Sequence, residues 1–136
     1  MPLIKYKYIT GPFFQFKKDQ NGNGDTVCHV PLADMRMSKD DMKKTYGCDN
    51  DAAESMRVCH AKKGTKITVY DKDDMNEDSG SHLDITVKAD LDNDCAIVSS
   101  FNNVGTTSDS GFYYNRRKQG NGHLNDKISS FVIKMP

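Results

Sequence analysis

Residues 123–133 read HLNDKISSFVI. The apolar, β-branched run from Ile128 to Ile133 has the composition of a strand. Its entrance, however, holds Asn125, Asp126, Ser129 and Ser130. Asn and Asp bond their own backbone in turns, Ser does so more weakly, and the same oxygens suit a hard cation. The stretch has a counterpart in the first half of the chain. Laid over NDKISSFVI (125–133), NDAAESMRV (50–58) gives the same order: two Asn/Asp residues, two spacers, a polar residue, Ser and then a strand. An internal repeat of this kind organises the whole chain.

Around each copy the pattern is that of an antiparallel β-protein. Period-two alternation and β-branched or aromatic clusters predict strands at 3–9, 13–17, 26–30, 56–60, 66–71, 82–88, 95–101, 111–115 and 128–134. Turn clusters such as KDQNGNGD, AKKGTK and RKQGNGHLND separate them. One helix interrupts the series, SKDDMKKTYG, with Ser38 as N-cap, acids in its first turn, Lys43 and Lys44 near its end and Gly47 as its stop. The methionines of ADMRMSKDDM read as the core face of that helix. Short, regularly spaced strands with one helix predict an antiparallel sandwich.

On these residues the chain resembles the βγ-crystallin superfamily. Asn125-Asp126-Lys127-Ile128-Ser129-Ser130 matches in full its N/D-N/D-X-X-S/T-S signature. MRVCHAKKGTKITVYDKDD is similar to the crossing between keys in microbial members, and the helix before the first signature is similar to those of Protein S and the spherulins. The resemblance implies an all-β fold, two four-stranded Greek keys forming one domain over 1–136, with key 1 at about 1–63 and key 2 at about 64–136. The first copy departs from the signature: Glu54 stands where Ser or Thr is usual. Residues 89–116 are longer and more irregular than the family pattern, and there is no Trp.

The resemblance also implies calcium, which takes ~6–8 oxygen ligands at roughly 2.3–2.6 Å. Carried over residue by residue, the main site uses Asp126, the Lys127 carbonyl and Ser129, completed by the hairpin loop at Lys18 and Asp19, with Asn125 bracing the turn. The other site uses Asp51, the Ala52 carbonyl and Glu54, facing Asp71, Lys72 and Asp73. Glu54 either overfills that pocket or supplies a strong ligand. The alternative for both copies is structural: the polar side chains satisfy the turn and hold each key closed with no ion bound. DKDDMNEDSGSH is no EF-hand, because its sixth position is Asn76 and its twelfth His82, where the turn needs Gly and the ion a bidentate Glu.

Other chemistries find no footing. His29, His60, His82 and His123 have no nucleophile at a recognisable spacing, and the glycine-rich stretches NGNGD and QGNGH lack the strand-to-helix setting of a phosphate cradle. Nineteen basic and nineteen acidic side chains cancel without a basic patch, so neither nucleic acid nor a membrane is an expected partner. MPLIKYKYIT has no long apolar core, which predicts a soluble, cytoplasmic protein rather than a secreted one. Accordingly Cys28, Cys48, Cys59 and Cys95 are expected as thiols, with Cys28 and Cys59 the pair to bridge in an exported chain. Zinc at VCHV and VCHA is disfavoured because adjacent strand residues face opposite ways. The expectation is a non-enzymatic, calcium-binding structural or stress protein. The rivals are a secreted Greek-key inhibitor or killer toxin, and a crystallin-type protein with disabled calcium sites.

Overall fold

The computed structural model describes residues 11–49, 51–72, 75, 81–101, 111–117, 124 and 127–136. Among the described residues nine strands appear: β1 (Phe13–Lys17), β2 (Thr26–Pro31), β3 (Met35–Met37), β4 (Ser55–Cys59), β5 (Lys66–Tyr70), β6 (His82–Val87), β7 (Cys95–Val98), β8 (Phe112–Arg117) and β9 (Ser130–Lys134). Helix α1 spans Lys39–Tyr46. The strands form two sheets with every pairing antiparallel, ordered β2-β1-β4-β7 and β3-β9-β5-β6-β8. No helix among these residues is long and apolar enough to cross a membrane.

Numbering each half's strands in chain order exposes the plan. The first half supplies β1 to β4 and the second supplies β5, β6, β7 and β9. Each sheet then reads second, first, fourth, followed by the third strand of the other half. Strand β8 is an addition beyond β6 at the outer edge. The two halves are therefore interlocked, each completing the other's sheet.

Alternation explains which side chains meet between the sheets. Phe14 and Phe16 of β1 are buried while Phe13, Gln15 and Lys17 are half-buried on the opposite face. Ile67 and Val69 of β5, Leu83, Ile85 and Val87 of β6, and Phe131 and Ile133 of β9 close the core from the other sheet. Phe131 meets both Phe14 and Phe16 edge-on, at ring-centroid distances of 5.3 and 6.0 Å, an arrangement that aromatic quadrupoles favour. Phe101 adds a third edge-on contact to Phe16 at 6.1 Å.

Helix α1 ends as its residues require. The Ser38 hydroxyl accepts from the Asp41 N–H at 3.3 Å, and Gly47 adopts φ +71°, so that its N–H and that of Cys48 bond back to the Lys43 and Met42 carbonyls. Met42 anchors the helix to the core. Met35 and Met37 do not belong to the helix: they lie in β3, paired to β9, and pack half-buried against the core. Three residues are too few to display a period, which is why the sequence pattern assigned them to the helix.

The cysteines also differ from expectation. Cys28 is bonded to Cys48 and Cys59 to Cys95, so none is a free thiol and the pairing is not Cys28 with Cys59. Cys59 and Cys95 are direct partners in the β4–β7 ladder, a register that the sequence alone does not disclose. With all four sulfurs paired to one another, VCHV and VCHA offer no thiolate to zinc. The predicted strand at 3–9 lies outside the described residues.

Candidate metal centre between the two signatures

The hairpin β1–β2 turns through residues 18–25, where a register shift at Phe16/Lys17 opens the ladder. Lys18 N–H bonds to the Asp25 carbonyl at 3.0 Å and Asp19 N–H to the Asn23 carbonyl at 3.2 Å. Gly22 and Gly24 hold φ of +73° and +79°. A side chain on Gly22 would also run into Ile97, and one on Gly24 into the Asp19 carboxylate, which packs against it. The residue that ties this loop down is Ser55, fully buried at the end of the first signature. Its hydroxyl accepts from the Gly22 N–H at 2.9 Å and donates to the Asp19 carbonyl at 2.5 Å.

The second key repeats the device. Ser130, equally buried, donates to the Lys72 carbonyl at 2.5 Å in the loop after β5. The backbone around each serine matches as well: Glu54 N–H bonds to the Lys17 carbonyl at 2.9 Å, and Ser129 N–H to the Tyr70 carbonyl at 2.8 Å. Asp71 closes its loop by accepting from Ser81 N–H at 2.9 Å through its carboxylate and donating its own N–H to the Ser81 carbonyl at 3.1 Å. Two keys, one signature in each, and one serine locking each first hairpin: these complete the pattern. The fold is βγ-crystallin-like.

Between the two signature stretches the chain makes a direct contact. Asp51, at φ +60°, bonds through its N–H to the Ile128 carbonyl at 3.1 Å. An Asp accepts this left-handed conformation more readily than most residues. Its carboxylate receives the Ser129 hydroxyl at 3.2 Å, and the Lys127 carbonyl lies 3.4 Å from the same hydroxyl. The Ser129 hydroxyl thus has two oxygens within 3.4 Å, one from the first signature and one from the second.

The structure groups the predicted ligands by its own logic. Lys127, Ser129 and Asp51, assigned from the sequence to two sites, meet here. Lys18 and Asp19 instead belong to the loop bonded by Ser55, and Asp71 and Lys72 to the loop bonded by Ser130. Ala52 and Glu54 continue the first signature, half-buried. Asn125, Asp126 and Asp73 lie outside the described residues. Oxygens bound to one calcium at about 2.4 Å and roughly 80–90° apart are separated by about 3.1–3.4 Å, which is the spacing found around Ser129. The set is made of carboxylate, hydroxyl and carbonyl oxygen, the chemistry of a hard cation. Among the described residues no group of three or more His, Cys, Asp or Glu side chains that could hold a metal ion forms.

No protein-family model matches the sequence, and no curated protein matches it. Two solved structures are similar to it. One is a mutant βγ-crystallin domain from Clostridium beijerinckii, 16% identical, covering 89% of this chain and 99% of its own, with a TM-score of 0.44. The other is a double mutant of clostrillin in complex with nickel, 16% identical, covering 89% and 95%, with a TM-score of 0.43.

Proposed function

We propose that this chain is a divergent, non-enzymatic βγ-crystallin-type protein whose two interlocked keys are fastened where the signatures meet, with calcium as the fastening ion. The observation that carries this reading is the Ser129 hydroxyl, placed 3.2 Å from the Asp51 carboxylate of the opposite signature. Asp51, Ser129 and the Lys127 carbonyl would hold the ion, and Asp126 completes the set that the signature implies. A cation at this point neutralises the carboxylate and joins the two halves. Because the halves are apart in the unfolded chain, binding stabilises only the folded state, by about 2.7 kcal/mol at an ion concentration a hundredfold above Kd.

The test is a pair of melting curves for metal-stripped protein, with and without excess calcium. The melting temperature of the native sequence should rise, and Asp51→Ala and Asp126→Ala should each lose most of that rise. An unchanged melt in excess calcium leaves the hydrogen-bonded junction as the whole of the device, the disabled-site reading.

A second reading draws on the two disulfides. Bonds of this kind persist in oxidising compartments and are rare in the cytosol, so they favour an exported protein over a cytoplasmic one. Export suits a secreted Greek-key inhibitor or toxin as well as an extracellular structural protein. Growth inhibition of susceptible cells by purified, oxidised protein at micromolar concentration would favour the former; no effect would leave the structural role.

A further inference from the structure

We propose that the Cys59–Cys95 disulfide is a redox clasp, opened by a small dithiol reductant through the pocket beside Cys95 while Cys28–Cys48 stays closed. Cys59 and Cys95 are direct partners in the ladder, and alternation sets them on the face of the sheet away from the core, since Met56, Val58 and Val98 of the same two strands join the core cluster and the two cysteines do not. The bond therefore straps the outside of β7 rather than filling the core. Among the described residues strand β7 has β4 as its one neighbour in the sheet, and it is the strand that the second half lends to the first. The clasp acts on the interlocking itself.

Exposure of the two cysteines is unequal. Cys59 is 1% exposed, whereas Cys95 is half-buried and lines a cavity of about 510 Å³ together with Lys88, Ala89, Leu91, Asp94 and Ile97. Cys28 and Cys48 of the other bond are both buried, at 5% and 0%. Exchange requires a thiolate to reach one sulfur, and Cys95 is the one it can reach. The attacking thiolate bonds to the Cys95 sulfur, the disulfide breaks, and Cys59 leaves with the electron pair and takes a proton. The second thiol of the reductant then displaces the Cys95 thiolate, which is protonated in turn. Two electrons pass to the protein and the reductant departs as a cyclic disulfide. With the strap open, β7 keeps its short ladder to β4 and loses its covalent hold.

Graded dithiothreitol, quenching by alkylation and peptide mapping by mass spectrometry would read each bond separately in the full-length oxidised protein. Cys59 and Cys95 should become labelled at dithiol concentrations about tenfold or more below those that label Cys28 and Cys48, because access limits the exchange. Ala89→Trp, which fills the cavity from an exposed position, should slow opening of Cys59–Cys95 by about fivefold or more and leave Cys28–Cys48 unaffected. Simultaneous opening of both bonds, earlier opening of Cys28–Cys48, or an Ala89→Trp rate equal to that of the native sequence would each overturn the proposal.

Discussion

Ser55 and Ser130 do the same work in different halves of the molecule. Each is fully buried, and each donates its hydroxyl to a carbonyl in the first hairpin loop of its own key, Asp19 for the one and Lys72 for the other. A signature that ends in Ser is thereby a statement about loop closure, and it carries that meaning whether or not an ion is bound nearby.

Removing either hydroxyl strands a carbonyl in a confined place, and Ser55→Ala strands the Gly22 N–H too. Ser55→Ala and Ser130→Ala should each cost about 1–3 kcal/mol, the range for a buried polar group deprived of its partner. Urea unfolding midpoints would measure it, and a cost within error of zero would mean that the loops are closed by other bonds.

The junction between the signatures should show as coupling. In metal-free protein, Asp51→Ala and Ser129→Ala made separately and together should give an interaction energy of about 0.5–1.5 kcal/mol, the net worth of one hydrogen bond. Strict additivity of the two substitutions would show that the pair contributes nothing to folding.

Much of this was legible in the residues, and the exceptions have one cause. Ser38 and Gly47 bound the helix as their chemistry dictates, and the alternation of Phe13 to Lys17 gave β1 its limits. Those signals are local. The meeting of Asp51 with Ser129, the bond from Cys59 to Cys95, and the pairing of Met35–Met37 with β9 all depend on which strands become neighbours across the sandwich. No spacing along the chain encodes that, although the doubled signature does foretell that the two halves are alike.

Acid should weaken the fold through His29. Its ring stacks on Phe13 at 4.3 Å between centroids, Nδ1 lies 3.3 Å from the Gln15 amide nitrogen, and burial holds its pKa below the ordinary 6.5. The neutral ring is the form that the fold prefers, so the unfolded chain binds the proton more tightly. This contribution is present above pH 6.5 and is lost as pH falls through the lowered pKa of the folded state. Melting temperatures from pH 7.5 down to pH 5 should decline more steeply for the native sequence than for His29→Gln; parallel curves would remove His29 as a cause.

The buried disulfide should matter for stability more than for control. Cys28–Cys48 closes a loop with a sequence separation of 20 and ties β2 to the segment after α1. Replacing both cysteines by Ser should lower unfolding free energy by about 3 kcal/mol, on the chain-entropy estimate for a loop of that size. Equilibrium denaturation under non-reducing conditions would test it, and a loss below about 1 kcal/mol would mean that the unfolded chain is already constrained there.

Exchange of third strands has a consequence for where the polypeptide tolerates being severed. A nick in the short connection between β4 and β5 leaves two fragments, the first owning three strands of one sheet and the second four of the other, each with a single orphan of its counterpart's sheet. Neither piece can satisfy its own open edge, yet each carries the strand its counterpart lacks. Such fragments are natural complements: separately they expose apolar faces, and mixed they have every reason to reassemble.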